Sequence, residues 1–140
     1  EIFGQLDKLW GPHSVDRYAT VTNARCLRFN TALPHSLSSG AAALAHSWIG
    51  ENNYAFPPIG ELPAVAQLLV ARPAVSATVV VPHWPAQAWY QQLVEVSSYV
   101  ELWPVREVAR PPPWLHASAQ HALSGMTLAF IRVEGRLAGA

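Results

Sequence analysis

The chain has 140 residues, 51% of them apolar and only 13% charged, with nine Lys and Arg balancing nine Asp and Glu. This is the length of one domain, long enough to bury roughly two thirds of the surface its unfolded form exposes, and too apolar and too weakly charged for intrinsic disorder. Zero net charge provides no bulk field for nucleic acid or a membrane surface, so any such contact must come from a local patch.

The basic set is eight Arg and one Lys, Lys8, which suits planar, bidentate contacts better than a loose cationic surface. One cysteine, Cys26, excludes an internal disulfide framework and a cysteine-rich zinc module, and fits a reducing compartment. No apolar run reaches the ~18 residues of a transmembrane helix, so no membrane span is expected. The opening Glu-Ile-Phe-Gly has neither an initiator Met nor the pattern of a secretory leader. It reads as the start of a piece taken from something longer.

In chain order, Ile2, Phe3, Leu6, Leu9 and Trp10 fall at helical spacing, and Gly11-Pro12 stops the run. Ser14 to Ala19 reads as a short strand, and Thr20 to Asn23 as turn chemistry. Residues 26–31 alternate apolar and polar, which predicts a second strand. Ser36 to Ala45 is a small-residue stretch, a short helix or an ordered loop. Trp48 to Asn53 reads as a turn and Tyr54 to Phe56 as a brief strand, ended by Pro57-Pro58, which cannot donate to a ladder. Glu61 to Ala71 shows one apolar helical face, with Pro63 tolerated in the first turn. Ala77 to Val81 is the clearest strand, a β-branched run of the kind buried on both faces. Pro85 to Val94 is helix-like and Val100 to Val105 strand-like. Arg110-Pro111-Pro112-Pro113 forms a rigid connector. Met126 to Val133 is a last strand, suited to pair antiparallel with Val100–Val105.

This alternation predicts a single α/β domain over residues 1–140: helices on a mostly parallel sheet, with an antiparallel edge at the C-terminus. Ligands of such sheets bind beyond the carboxyl ends of the strands. Asp16 ends one strand, as a ligand contact or as a turn and cap residue. Phe56-Pro57-Pro58-Ile59 ends another, with proline carbonyls that no ladder consumes, or as a simple strand breaker. His83, Trp84, Trp89 and Tyr90 follow the buried strand. They suit base stacking at a nucleic-acid edge, or core and lid packing. Arg25, Arg28 and Arg72 offer a local basic edge. No glycine-rich dinucleotide fingerprint is present, nor the serine elbow of the α/β-hydrolases. His116 and His121 are five apart, off the spacing of one helical face, so no metal site is expected. Asp7 and Asp16 are the only aspartates, too few for a two-metal nuclease. Cys26 lies between Arg25 and Arg28, which would lower its pKa, but a buried, inert thiol fits better.

Three blocks stand in order along residues 3–95. The first is Gly11-Pro12-His13-Ser14-Val15-Asp16-Arg17-Tyr18-Ala19-Thr20, with Asn23-Ala24 and Arg28-Phe29-Asn30 after it. The second runs from Trp48 to Tyr54-Ala55-Phe56-Pro57-Pro58-Ile59. The third is Val79-Val80-Val81-Pro82-His83-Trp84-Pro85-Ala86-Gln87-Ala88-Trp89-Tyr90. Together they resemble the segment that follows reverse transcriptase and ribonuclease H in the polyproteins of DIRS-type, tyrosine-recombinase retrotransposons. That segment is itself similar to phage-type Dam-like DNA N6-adenine methyltransferases. Residues 96–140 carry no such motif.

The resemblance implies a Rossmann-like, methyltransferase-type three-layer sandwich that binds S-adenosylmethionine. It puts Asp16 and Ala19 in the first cofactor-binding motif, with Asn23 just after. It sets Phe56-Pro57-Pro58-Ile59 on the catalytic Asn/Asp-Pro-Pro-aromatic motif. In that motif the polar first residue and a proline carbonyl accept hydrogens of the adenine amine, and the final aromatic stacks on the flipped base. Here those positions hold Phe56 and Ile59. Losing an oriented acceptor at a developing charge costs about 3 kcal/mol, a hundredfold and more in rate. The expectation is a degenerate methyltransferase fold in which cofactor binding is retained or lost. It would associate weakly with DNA or an RNA–DNA intermediate beside its reverse transcriptase and ribonuclease H neighbours, inside the cell. The alternatives are an active adenine methyltransferase and a generic α/β interaction domain.

Overall fold

A computed structural model describes residues 2–18, 26, 28–30, 43–104 and 127–135. Helix α1 (Ile2–Trp10) leads into strand β1 (Val15–Asp16), then β2 (Arg28–Phe29) and β3 (Asn52–Ala55). Helix α2 (Leu62–Ala71), strand β4 (Ser76–Pro82) and helix α3 (Ala88–Val96) follow, and then β5 (Tyr99–Pro104) and β6 (Thr127–Val133). The strands form one sheet in the order β2-β1-β3-β4-β6-β5. The first four are mutually parallel. Strand β6 runs antiparallel to both neighbours, so the expected C-terminal hairpin is present, with its second strand inserted against β4.

Alternation along β4 and β6 builds two cores. Ala77, Val79 and Val81, with Ala129, Ile131 and Val133, face α2 and α3, where they meet Leu62, Val65, Ala66, Leu69, Trp89, Tyr90 and Leu93. Val80, Leu128 and Phe130 point the other way, into a smaller cluster with Leu6 of α1 and Tyr54. The molecule is therefore layered: α1, the sheet, then α2 with α3. The two central strands are buried on both faces, which is why they read as near-continuous apolar runs.

Several boundaries differ from the sequence reading. The strand expected over Ser14–Ala19 is the two-residue β1, and that over 26–31 is the two-residue β2. Asn52 and Asn53, expected in a turn, open β3, while Phe56 falls just past its end. Asparagine is a poor strand former, but here its amide satisfies buried backbone. Asn53 Nδ2 donates to the carbonyls of Trp48 (2.9 Å), Glu51 (3.3 Å) and Ser76 (2.8 Å). A 3-10 turn at Ile59–Glu61 precedes α2, with proline in the helix's first turn as expected. Helix α3 starts three residues later than Pro85, because Trp84 O accepts the Gln87 N–H and holds residues 85–87 in a turn. Of the stretch 36–45, residues 43–45 form a 3-10 turn. The Arg110–Pro113 connector lies outside the described residues. Among those described, no helix is long and apolar enough to cross a membrane.

Candidate functional site at the carboxyl ends of β1, β3 and β4

Parallel pairing sets the end of β1 beside the end of β3, with Asp16 opposite Tyr54 and Arg17 N–H bonded to Tyr54 O at 2.8 Å. The Asp16 carboxylate is 2% exposed. Its Oδ1 accepts the Tyr18 N–H at 3.3 Å, and its backbone carbonyl accepts the Asn30 N–H at 2.9 Å. Asp16 thus shapes the exit of the chain from β1. Ala19 and Asn23, the other two positions assigned to a cofactor motif, lie outside the described residues.

Arg17, which sequence reasoning did not single out, is the anchor of this corner. It is buried, and its Nε donates to Asn53 Oδ1, Nη1 to Asn30 Oδ1 and Nη2 to Ser47 O, each at 2.8 Å. Its guanidinium lies 5.4 Å from the ring centroid of the buried Trp48. Arg17, Asn30 and Trp48 all belong to the blocks that carry the family resemblance. In the folded chain they lock β1, β2 and the entry to β3 together.

Tyr18 packs beside Ile59 against the α2–α3 core. Its hydroxyl is buried near Glu61, with no partner at close hydrogen-bond geometry among the described residues. Burial, reinforced by the nearby Glu61 carboxylate, pushes the phenol well above its usual range. Burial also raises Glu61, against the stabilising proximity of Tyr18. Tyr18 and Glu61 are a second pair that sequence reasoning missed, because they lie far apart in the chain. Cys26 sits near Asp16, and burial followed by the Asp16 and Asp7 charges pushes its thiol up to about 12, so it is not an activated nucleophile.

At the exit of β3, Phe56 turns toward the α1 face and packs on the cluster of Leu6, Tyr54 and Val80. Ile59 turns to the opposite face. Pro57 is buried, and the Pro58 carbonyl accepts the Glu61 N–H at 2.9 Å, so the local turn consumes one of the carbonyls expected to point outward. Phe56 thus presents a phenyl ring, packed into apolar surroundings, at the exit of β3.

Beyond β4, His83 Nδ1 lies 2.8 Å from the Tyr90 hydroxyl, with the rings edge to face at 5.4 Å. Trp89 and Tyr90 are 6% and 5% exposed and belong to the α2–α3 core, so neither offers a face for stacking a base. His83 and Trp84 are half-buried at the rim, with Trp84 6.4 Å from the Trp89 ring. Of the basic edge, Arg28 is paired with Glu51 at 2.7 Å, Arg72 is exposed, and Arg25 lies outside the described residues. Among the described residues no group of three His, Cys, Asp or Glu is placed to hold a metal ion.

Comparison with known protein families, with curated proteins and with solved structures finds no match to this chain.

Proposed function

We propose that this chain is a methyltransferase-fold domain of a retroelement polyprotein that has lost adenine N6-methylation and serves as a nucleic-acid-associated accessory to adjacent reverse transcriptase and ribonuclease H. The observation that carries this reading is Phe56. The residue at the end of β3 that would accept hydrogens of an adenine amine is instead packed against Leu6, Tyr54 and Val80. Ile59, at the base-stacking position, is packed against the opposite core. The strand plan supports the ancestry in its parallel sheet between helical layers, as the resemblance implies, followed by the antiparallel C-terminal hairpin expected from the order of elements. Among the described residues of the expected edge, half-buried Trp84 and His83, with exposed Arg72, are available for contact with nucleic acid. With no net charge and few cations at this edge, such binding is weak and only mildly salt-dependent.

A second reading, retained S-adenosylmethionine binding without methyl transfer, is favoured by Asp16 standing next to the Phe56-Pro57-Pro58 exit. A thermal-shift titration with S-adenosylmethionine and S-adenosylhomocysteine separates the two. Ligand at ~100 times its Kd stabilises by about 2.7 kcal/mol and moves the midpoint by several degrees. The expected result is no transfer of labelled methyl groups to adenine-containing DNA, whether or not the midpoint shifts. Methylation at ordinary rates would overturn the main reading. A saturable shift without transfer would establish the second.

A further inference from the structure

Beneath the last turn of α1, on the sheet face away from α2 and α3, runs a chain of polar side chains separate from the carboxyl-end site. The His13 ring is fully buried, with Nδ1 2.7 Å from Asp7 Oδ1 and Nε2 2.7 Å from Thr78 Oγ1. Asp7 Oδ1 also accepts the His13 backbone N–H at 2.9 Å. Arg132 Nη1 donates to the same Thr78 oxygen at 3.1 Å and to Asn52 Oδ1 at 2.7 Å, while its Nε donates to Glu134 Oε1 at 2.8 Å. The Tyr54 ring packs edge-on to the imidazole, with centroids 5.8 Å apart.

Donor counting assigns the proton. An ionised Asp7 carboxylate only accepts, so the proton of a neutral ring sits on Nδ1, and Thr78 Oγ1, which accepts from Arg132, gives its own hydrogen to His13 Nε2. Nε2 is then an acceptor, and the single ring proton sits on Nδ1, donated to Asp7. A second proton at Nε2 would take the acceptor from the Thr78 hydroxyl hydrogen, turning it away from the ring, and place a cation beside the Arg132 guanidinium. Burial acts in the same direction and, with a smaller push from Arg132, holds the ring below its ordinary value of 6.5 against the opposing pull of Asp7. Asp7 itself is lowered, chiefly by the His13 backbone N–H, and stays ionised while histidine titrates.

The same residues dock the helix. Besides the apolar contacts of Leu6, α1 is tied to the sheet by the Asp7–His13–Thr78 chain and by Asn52 Nδ2, which donates to the carbonyls of Trp10 (2.8 Å) and Pro12 (3.0 Å). Because Asn52 Oδ1 is held by Arg132, one connected network joins α1 to β3, β4 and β6.

We propose that the Asp7–His13–Thr78–Arg132 chain is an acid-sensitive latch: protonation of His13 undocks α1 and uncovers the apolar face of Tyr54, Val80, Leu128 and Phe130, while the sheet and the α2–α3 layer stay folded. Undocking frees a ring of ordinary proton affinity, so opening takes up one proton. The opening equilibrium is flat above pH 6.5, rises by up to tenfold per unit below it, and levels off once the pH falls beneath the lowered value of the docked ring.

Hydrogen exchange of the full chain between pH 5 and 8, corrected for intrinsic rates, reads this directly. Protection of amides 6–11 is expected to fall with pH below 6.5, by up to tenfold per unit, while β4 and β6 keep theirs, and His13→Gln is expected to abolish the slope. Where H13Q does not fold, NMR of the wild-type His13 ring decides. At pH 6 the ring must be less charged than exposed histidines, which are more than half charged there, with its neutral form protonated at Nδ1. A flat profile overturns the latch. So does an equal slope in H13Q, loss of β4 and β6 protection in step with α1, or a ring that titrates at 6.5 with α1 still protected.

Discussion

Gly11 shows how one residue of the first sequence block earns its place. Its N–H bonds to Asp7 O at 2.9 Å as α1 ends, and a Cβ there would overlap both that carbonyl and the Asp7 carboxylate. Gly11→Ala is expected to cost about 1–3 kcal/mol, the usual range for overpacking. The cost would show as a lower thermal midpoint and as faster exchange in α1. Arg17 is the other decisive residue. Arg17→Met keeps much of the contact with Trp48 but strips Asn53 Oδ1 and the Ser47 carbonyl of their guanidinium donor. A loss of about 3 kcal/mol or more is expected by chemical denaturation, because orphaned buried acceptors cost about 1–3 kcal/mol each. Gly11 was legible as the stop of α1, though not its close approach to Asp7, and the role of Arg17 was not legible. Arg17 reads as an ordinary surface arginine until Asn53 and Ser47 arrive from more than two dozen positions away.

Elements with a strong period were legible, and those held by side-chain chemistry were not. Helix α1, helix α2, strand β4 and the β5–β6 hairpin match the expectations to within a residue or so, because apolar spacing alone fixes which face is buried. The start of β3 was misread because Asn52-Asn53 looks like a turn, yet Asn53 braces three carbonyls and Asn52 holds α1. At the candidate site, the positions of Asp16 and of Phe56 to Ile59 at strand ends were legible. The burial of Trp89 and Tyr90 was not, since an aromatic cluster reads the same whether it faces solvent or core. Strand β4 offers a test of how much the polar chain contributes. Thr78→Val preserves the β-branched shape but removes the donor to His13 and the acceptor for Arg132. A loss of about 1–3 kcal/mol at neutral pH is expected in urea titrations, with m unchanged.

At the scale of the whole molecule, the order of strands in space departs from their order along the chain. β6, nearest the C-terminus of the described strands, lies inside the sheet, paired to β4 from Ala77–Val133 through Pro82–Leu128 and to β5 on its other side. A chain ending at Gly125 would lose the partner of both strands and one wall of each apolar core. It is expected to show no cooperative thermal transition and to bind hydrophobic dyes, as loosely packed states do. This placement also dictates when the protein can become itself. During synthesis the first five strands emerge without the one that joins β4 to β5, so the sheet cannot close until residue 133 has left the ribosome. Its formation rests on contacts between distant parts of the chain, the slow kind. Until then an incomplete, apolar sheet is exposed to whatever surrounds the nascent chain.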